Sequence, residues 1–245
     1  MIGLAAALLV AAIGMVAHGW WRGRSLAALV AERLRGPFAS RRRNATAWAT
    51  GIFVMYGATS LIALALLGRL DAVLALPSEL RAAAARIGVA PIGFDELWIY
   101  AGAIGGGFAL GALLVALSAW RGWRLLGPSY RSPAIVRTRP EIAAALLLSA
   151  AAGVGEELFF RLLVPLLAAI VSGSGTIGCV VGWGLFTLAH QYQGRGGMLA
   201  VGVVGAVLGW LYLATGLLWV VALLHALVDV NALVVRPWVE RRLRR

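Results

Sequence analysis

The chain has 245 residues, is 61% hydrophobic and only 13% charged, and has a mean hydropathy of +0.87. A soluble domain of this size is about half apolar, because it must present a polar surface to water, so a soluble globule is excluded. The net charge is +12, and every basic residue is an arginine placed near the end of an apolar run. That is the pattern of cytoplasmic loops between membrane helices, so no nucleic-acid partner is expected.

Crossing a hydrocarbon core of ~30 Å takes ~20 apolar residues. The first such run, residues 2–20, ends at Trp20, Trp21, Arg22 and Arg24. A secretory signal carries its positive charge before the apolar region; here the charge follows, which predicts a retained helix with its N-terminus outside. Residues 26–35 form an amphipathic surface helix with Leu26, Leu29, Val30 and Leu34 on one side. A second span follows at 47–67, then a long loop, 68–96, with Pro77, Pro91 and one short helix.

A third span is expected at 97–119, where Gly102/Gly106 and Gly107/Gly111 give the small-xxx-small spacing of close helix packing. Residues 120–140, with five arginines and three prolines, read as an inside loop. The fourth helix, 141–171, ends at Ser172-Gly173-Ser174-Gly175. The fifth is expected at 176–192, the sixth at 198–214 and the seventh at 217–235, before a basic tail at 236–245. Alternating these spans puts eighteen arginines inside and three outside, which predicts an N-out, C-in topology. The fold class is therefore an all-α polytopic membrane bundle of about seven helices. The lone cysteine, Cys179, lies in an apolar run and reads as a small buried residue.

Charged groups at the centre of a membrane helix cost on the order of 3 kcal/mol each. Helices four to seven nevertheless hold Glu156, Glu157, Arg161, His190, His225 and Asp229. At about 100° per residue, Glu157 and Arg161 share a helix face while Glu156 is rotated away. The natural ion pair is Glu157 with Arg161, leaving Glu156 free to act. His225 and Asp229 share a face by the same spacing, and so do Phe186 and His190. A glutamate held away from bulk water suits a general base that takes a proton from water. The two histidines and Asp229 can orient that water, stabilise an oxyanion or hold a metal.

The runs Glu156-Glu157-Leu158-Phe159-Phe160-Arg161, Phe186-Thr187-Leu188-Ala189-His190 and His225-Ala226-Leu227-Val228-Asp229 resemble the EExxxR, FxxxH and Hxxx(Asn or Asp) motifs of the CPBP intramembrane proteases. That family includes the CAAX prenyl protease 2 type and bacterial bacteriocin-processing or Abi proteins. The resemblance covers about 141–235 and implies a glutamate-dependent intramembrane endopeptidase. By it, Glu156 is the catalytic glutamate, His190, His225 and Asp229 complete the site, and Glu157 with Arg161 orients it. Asp229 stands where many members have asparagine. Metal dependence is left open; a divalent ion such as zinc, if held, would take Glu156, His190, His225 and Asp229.

On this reading the chain divides into N-terminal helices and basic loops (1–140), a catalytic four-helix core (141–235) and the tail. A helix over 141–171 is ~45 Å long, longer than the membrane core, and a kink at Gly153 or Gly155 is expected beside the glutamates. The site is expected to open toward the cytoplasm. The substrate class is a membrane-associated protein or peptide: a prenylated CAAX tail, a leader peptide or a C-terminal anchor. Anionic lipid headgroups are expected partners of the arginine-rich loops, and a prokaryotic plasma membrane is the expected location. Two other readings compete: a silent immunity or scaffold protein of the same fold, and a proton or small-solute transporter. The polar-poor first three helices count against transport. A serine hydrolase built on Ser149 or Ser174 lacks a histidine at a diagnostic spacing.

Overall fold

The computed structural model describes residues 1–22, 26–35, 40–96 and 134–243, together with 99, 100, 102, 106, 107, 113, 117 and 121. Most of the predicted third span, 97–119, and most of the loop 120–140 lie outside the described residues. Among the described residues every regular element is helical, without a strand.

Helix α1 is Ile2–Arg22 and α2 is Leu26–Arg35. Helix α3 begins as Arg41–Ile52, passes through a wide π-helical turn, Phe53–Ala58, and ends as Thr59–Leu66. It starts six residues before the predicted span, so the three successive arginines form its first turn rather than a loop. Ser40 caps that turn, its hydroxyl accepting from the Arg43 N–H at 3.2 Å. The single helix expected in the loop 68–96 is α4, Ser78–Arg86. The Ile92 N–H donates to the Ala214 carbonyl at 2.8 Å and ties this loop to the bundle.

Helix α5 runs as Ile142–Glu157, a second π-helical turn Leu158–Leu163, and Val164–Ser172. Gly173 then takes a left-handed conformation (φ 69°), which glycine adopts without a Cβ penalty. Ser174 opens α6, Gly175–Ala189, its hydroxyl accepting from the Ile177 N–H at 3.4 Å. Helix α7 is Gly194–Thr215. Helix α8 runs as Leu218–Val230, a third π-helical turn Asn231–Val235, and Arg236–Leu243. The expected basic tail is, as far as Leu243, the last two turns of α8.

Among the described residues four helices are long and apolar enough to cross a membrane: Ile2–Gly19, Arg41–Leu66, Gln191–Thr215 and Leu218–Val239. Helix α5 is long enough but concentrates two glutamates and an arginine within six residues; α6 is apolar but only fifteen residues long. Of these two, α5 is the one the others enclose, buried from Glu156 to Ala169, whereas α6 keeps an exposed face with Ile177, Val180 and Trp183. The first half of α5 packs on α8 and α3, and its second half on α6 and α1. Leu162, Val164, Leu166 and Leu167 are fully buried, as expected of a helix that is apolar on every side.

Apolar burial gives helices in lipid no transfer gain, so close packing must hold them. A side chain at Gly153 would collide with the Ala222 carbonyl of α8, and one at Gly155 would come within 3.3 Å of the Gly57 nitrogen of α3. The two glycines therefore serve contact with α8 and α3. The departure from α-helical geometry in α5 falls after them, at Leu158–Leu163, the turn that holds Arg161.

Candidate active site

Four helices deliver the polar residues. Glu156 and Glu157 sit at the last α-helical turn of α5, and Arg161 in the wide turn that follows. His190 ends α6, its backbone (φ −96°, ψ 12°) leaving the helix there. His225 and Asp229 lie one turn apart on α8, and Gly205 of α7 closes the fourth side.

Glu157 is fully buried, and both of its oxygens are engaged. Its Oε2 is 3.1 Å from the Arg161 Nε, the ion pair the spacing predicts. Its Oε1 is 2.6 Å from the His225 Nδ1, a contact the sequence pattern does not announce. Arg161 is also buried; its guanidinium carbon lies 3.8 Å from the centre of the Phe186 ring, and its Nη2 donates to the Gly205 carbonyl at 3.5 Å. A cation over an aromatic face is attracted by the ring quadrupole. Phe186 thereby supports both the arginine and the histidines, whose rings lie 4.7 Å (His190) and 6.0 Å (His225) from its own.

Glu156 differs from its neighbour. Its side chain is 11% exposed, and the buried Oε2 has no hydrogen-bond partner among the described residues. That oxygen lies 3.8 Å from the His190 Nε2 and 4.0 Å from the His225 Nε2. Both distances exceed a hydrogen bond and approach the separation that one bridging water spans. Each imidazole is held from behind: the His190 Nδ1 is 2.8 Å from the Phe186 carbonyl, and the His225 Nδ1 is on Glu157. With the Nδ1 edges fixed, both Nε2 atoms turn to Glu156.

Asp229 is half-buried and lies within electrostatic reach of Glu156, Glu157, His190 and His225. It joins no hydrogen bond or ion pair with a described residue. All seven sequence-derived residues are thus gathered, with Asp229 the least engaged. Tyr56, in the wide turn of α3, was missed by the motif reading. Its ring centre is 5.0 Å from that of Phe159 and 5.3 Å from that of Phe160, and its hydroxyl lies within electrostatic reach of Glu156. The only sequence signal for it is a polar-tipped aromatic inside an apolar span.

Zinc takes nitrogen and oxygen ligands at about 2.0–2.2 Å, usually four of them. Among the described residues no three or more His, Cys, Asp or Glu side chains are arranged to hold a metal ion. The two serines weighed from sequence are committed to backbone: Ser149 donates to the Ala145 carbonyl at 3.0 Å, and Ser174 is the cap of α6.

Comparison with curated proteins and with solved structures returns no match. Comparison with protein families does: residues 138–231 match the family described as type II CAAX prenyl endopeptidase, Rce1-like. The match begins just before α5 and ends just past Asp229, so it encloses both glutamates, Arg161 and both histidines. The chain is thus a membrane protein whose residues 138–231 are similar to the type II CAAX prenyl endopeptidase family, a match that supports the CPBP/CAAX protease resemblance of its motifs.

Proposed function

We propose that the protein is a glutamate-dependent intramembrane endopeptidase that cleaves a membrane-associated protein or peptide. The observation that carries this is the contrast between two adjacent carboxylates. Glu157 is consumed by Arg161 and His225, whereas Glu156 faces the Nε2 atoms of two histidines at 3.8 and 4.0 Å with no partner of its own. With Arg161 and His225 both held by Glu157, Glu156 is the carboxylate left to act as a base.

In this reading a water lies between Glu156 and the two rings. A His190 whose Nδ1–H donates to the Phe186 carbonyl presents Nε2 as an acceptor, so it takes a hydrogen bond from the water and orients it. Glu156 removes a proton as the water oxygen bonds to the scissile carbonyl carbon. The carbonyl electron pair moves onto oxygen, and a protonated His225 Nε2 donates to that oxyanion while Glu157 balances the imidazolium charge. Collapse breaks the C–N bond, and Glu156 returns its proton to the leaving amine. Asp229 adds negative potential beside both rings.

The substrate class follows from the site's place among membrane helices, and its candidates are a prenylated C-terminal tail, a leader peptide and a C-terminal anchor. The test is to profile protein termini by mass spectrometry in host membranes carrying the wild type or Glu156→Gln. Termini present with the wild type and missing with the variant support proteolysis and identify the substrate. Identical termini, with both proteins folded at equal abundance, contradict it.

A further inference from the structure

The wide turn near the end of α8 has a structural partner in the segment that leads into α5. The Val136 N–H donates to the Leu233 carbonyl at 2.9 Å, and the Val136 carbonyl accepts from the Arg241 Nη1 at 2.7 Å. Between this segment and the end of α8 lies a cavity of about 320 Å³, separate from the glutamate and histidine cluster. Its lining includes four arginines, Arg137, Arg139, Arg241 and Arg242, together with apolar groups such as Ile142 and Trp238.

Among the described residues no carboxylate lines the cavity. Glu141, next to it, is engaged by the Arg41 Nε at 3.3 Å and by the Arg137 N–H at 2.8 Å. Arg242 stacks on the Trp238 ring at 4.8 Å. Neither Arg139 nor Arg242 has an ion-pair partner among the described residues. The cavity therefore offers two guanidinium groups, those of Arg139 and Arg242, without an ion-pair partner among the described residues, beside apolar walls.

Its position identifies the ligand. The apolar run of α8 gives way at Arg236, so Trp238 and the arginines beside it follow the apolar stretch, where interfacial aromatics and basic residues stand. Basic pockets between helices at that level suit lipid phosphates, and guanidinium forks match phosphate oxygens in pairs. We infer that the cavity between residues 136–142 and the end of α8 binds the headgroup phosphate of an anionic lipid. Trp238 and Ile142 would contact the glycerol and the upper acyl chain. Arg139 precedes the helix that carries Glu156, and Trp238 lies nine residues, or ~14 Å along the axis, beyond Asp229. A bound lipid therefore bridges two of the four helices that build the site, α5 and α8, although the inference does not rest on the peptidase reading.

The test uses the full-length protein, in mixed phosphatidylcholine and phosphatidylglycerol, with bound lipid read by native mass spectrometry. The wild type is expected to retain phosphatidylglycerol over phosphatidylcholine by about tenfold, and R139Q/R242Q to lower this to about twofold. The control R42Q/R43Q removes the same charge from exposed arginines at the start of α3 and is expected to keep the preference. Equal loss in both variants would show diffuse surface charge and overturn the site. If R139Q/R242Q does not fold, a wild-type competition decides. Displacement of the lipid by inorganic phosphate at about 10 mM, with ionic strength held constant, overturns the lipid assignment, and retention supports it.

Discussion

Successive helical residues are rotated by about 100°, and that rotation gives Glu156 and Glu157 different neighbours. Removing the charge of Glu157 leaves a buried Arg161 without its partner, a loss of about 3–5 kcal/mol for a buried pair. Glu157→Gln should therefore lower the melting temperature in detergent by about 10 °C. Glu156→Gln, which breaks no hydrogen bond within the protein, should melt within about 2 °C of wild type. Equal destabilisation by both would contradict the division of roles. The pairing of Glu157 with Arg161 is legible in the sequence because it is local, four residues along one helix. The His225–Glu157 contact is not legible, since it joins residues 68 positions apart and depends on how closely α5 and α8 approach. Phe186 is legible as a motif position, but its place against the Arg161 guanidinium emerges only when α6 packs on α5.

That approach is set by Gly153, whose missing side chain admits the Ala222 carbonyl. Gly153→Leu should push α8 away from α5, lengthen the distance from Glu156 to His225 and lower cleavage by tenfold or more, on the order expected for a misplacement of about 1 Å. Gly184→Leu on α6 is the control, because nothing lies within 4 Å of a side chain placed there. It should cleave and melt as the wild type does. Loss of activity in both, or in neither, would contradict a specific α5–α8 contact. Helix existence was readable from the apolar runs, and the left-handed Gly173 with the Ser174 cap from the Ser-Gly-Ser-Gly run. The three wide turns were not, since a π-turn needs no proline or other breaker and wide turns occur at functional sites for reasons of geometry. The start of α3 was missed because three arginines in a first turn oppose the helix dipole. The Ser40 cap and the Arg41–Glu141 ion pair offset that cost.

At the scale of the molecule, an enclosed polar helix among apolar ones is the arrangement that composition alone required. Orientation rests on the arginine bias and can be checked directly. With Cys179 replaced by alanine, a cysteine at position 2 should react with a membrane-impermeant reagent from outside, and one at position 243 only after permeabilisation. The reverse pattern would overturn the topology. Between α3 and α5, the Arg69 guanidinium hydrogen-bonds both oxygens of Glu79, at 2.9 and 3.0 Å, and holds this carboxyl down at about 2. The folded value lies below the ordinary 4.5, so the contribution is complete above pH 4.5 and is lost as the pH falls from there toward 2. For a partly exposed pair this amounts to about 1 kcal/mol or less. Melting curves from pH 7 to 3 should show the loss in wild type and a smaller one in Glu79→Gln; identical curves would contradict it.

The most direct single measurement is the cleavage rate of purified Glu156→Gln beside wild type, on the peptide spanning the substrate junction found by terminus profiling, with melting temperatures taken from the same samples. A rate reduced by about a thousandfold or more, the upper part of what a general base supplies, at an unchanged melting temperature is the expected result. Cleavage at the wild-type rate by the folded variant would contradict Glu156 as the base.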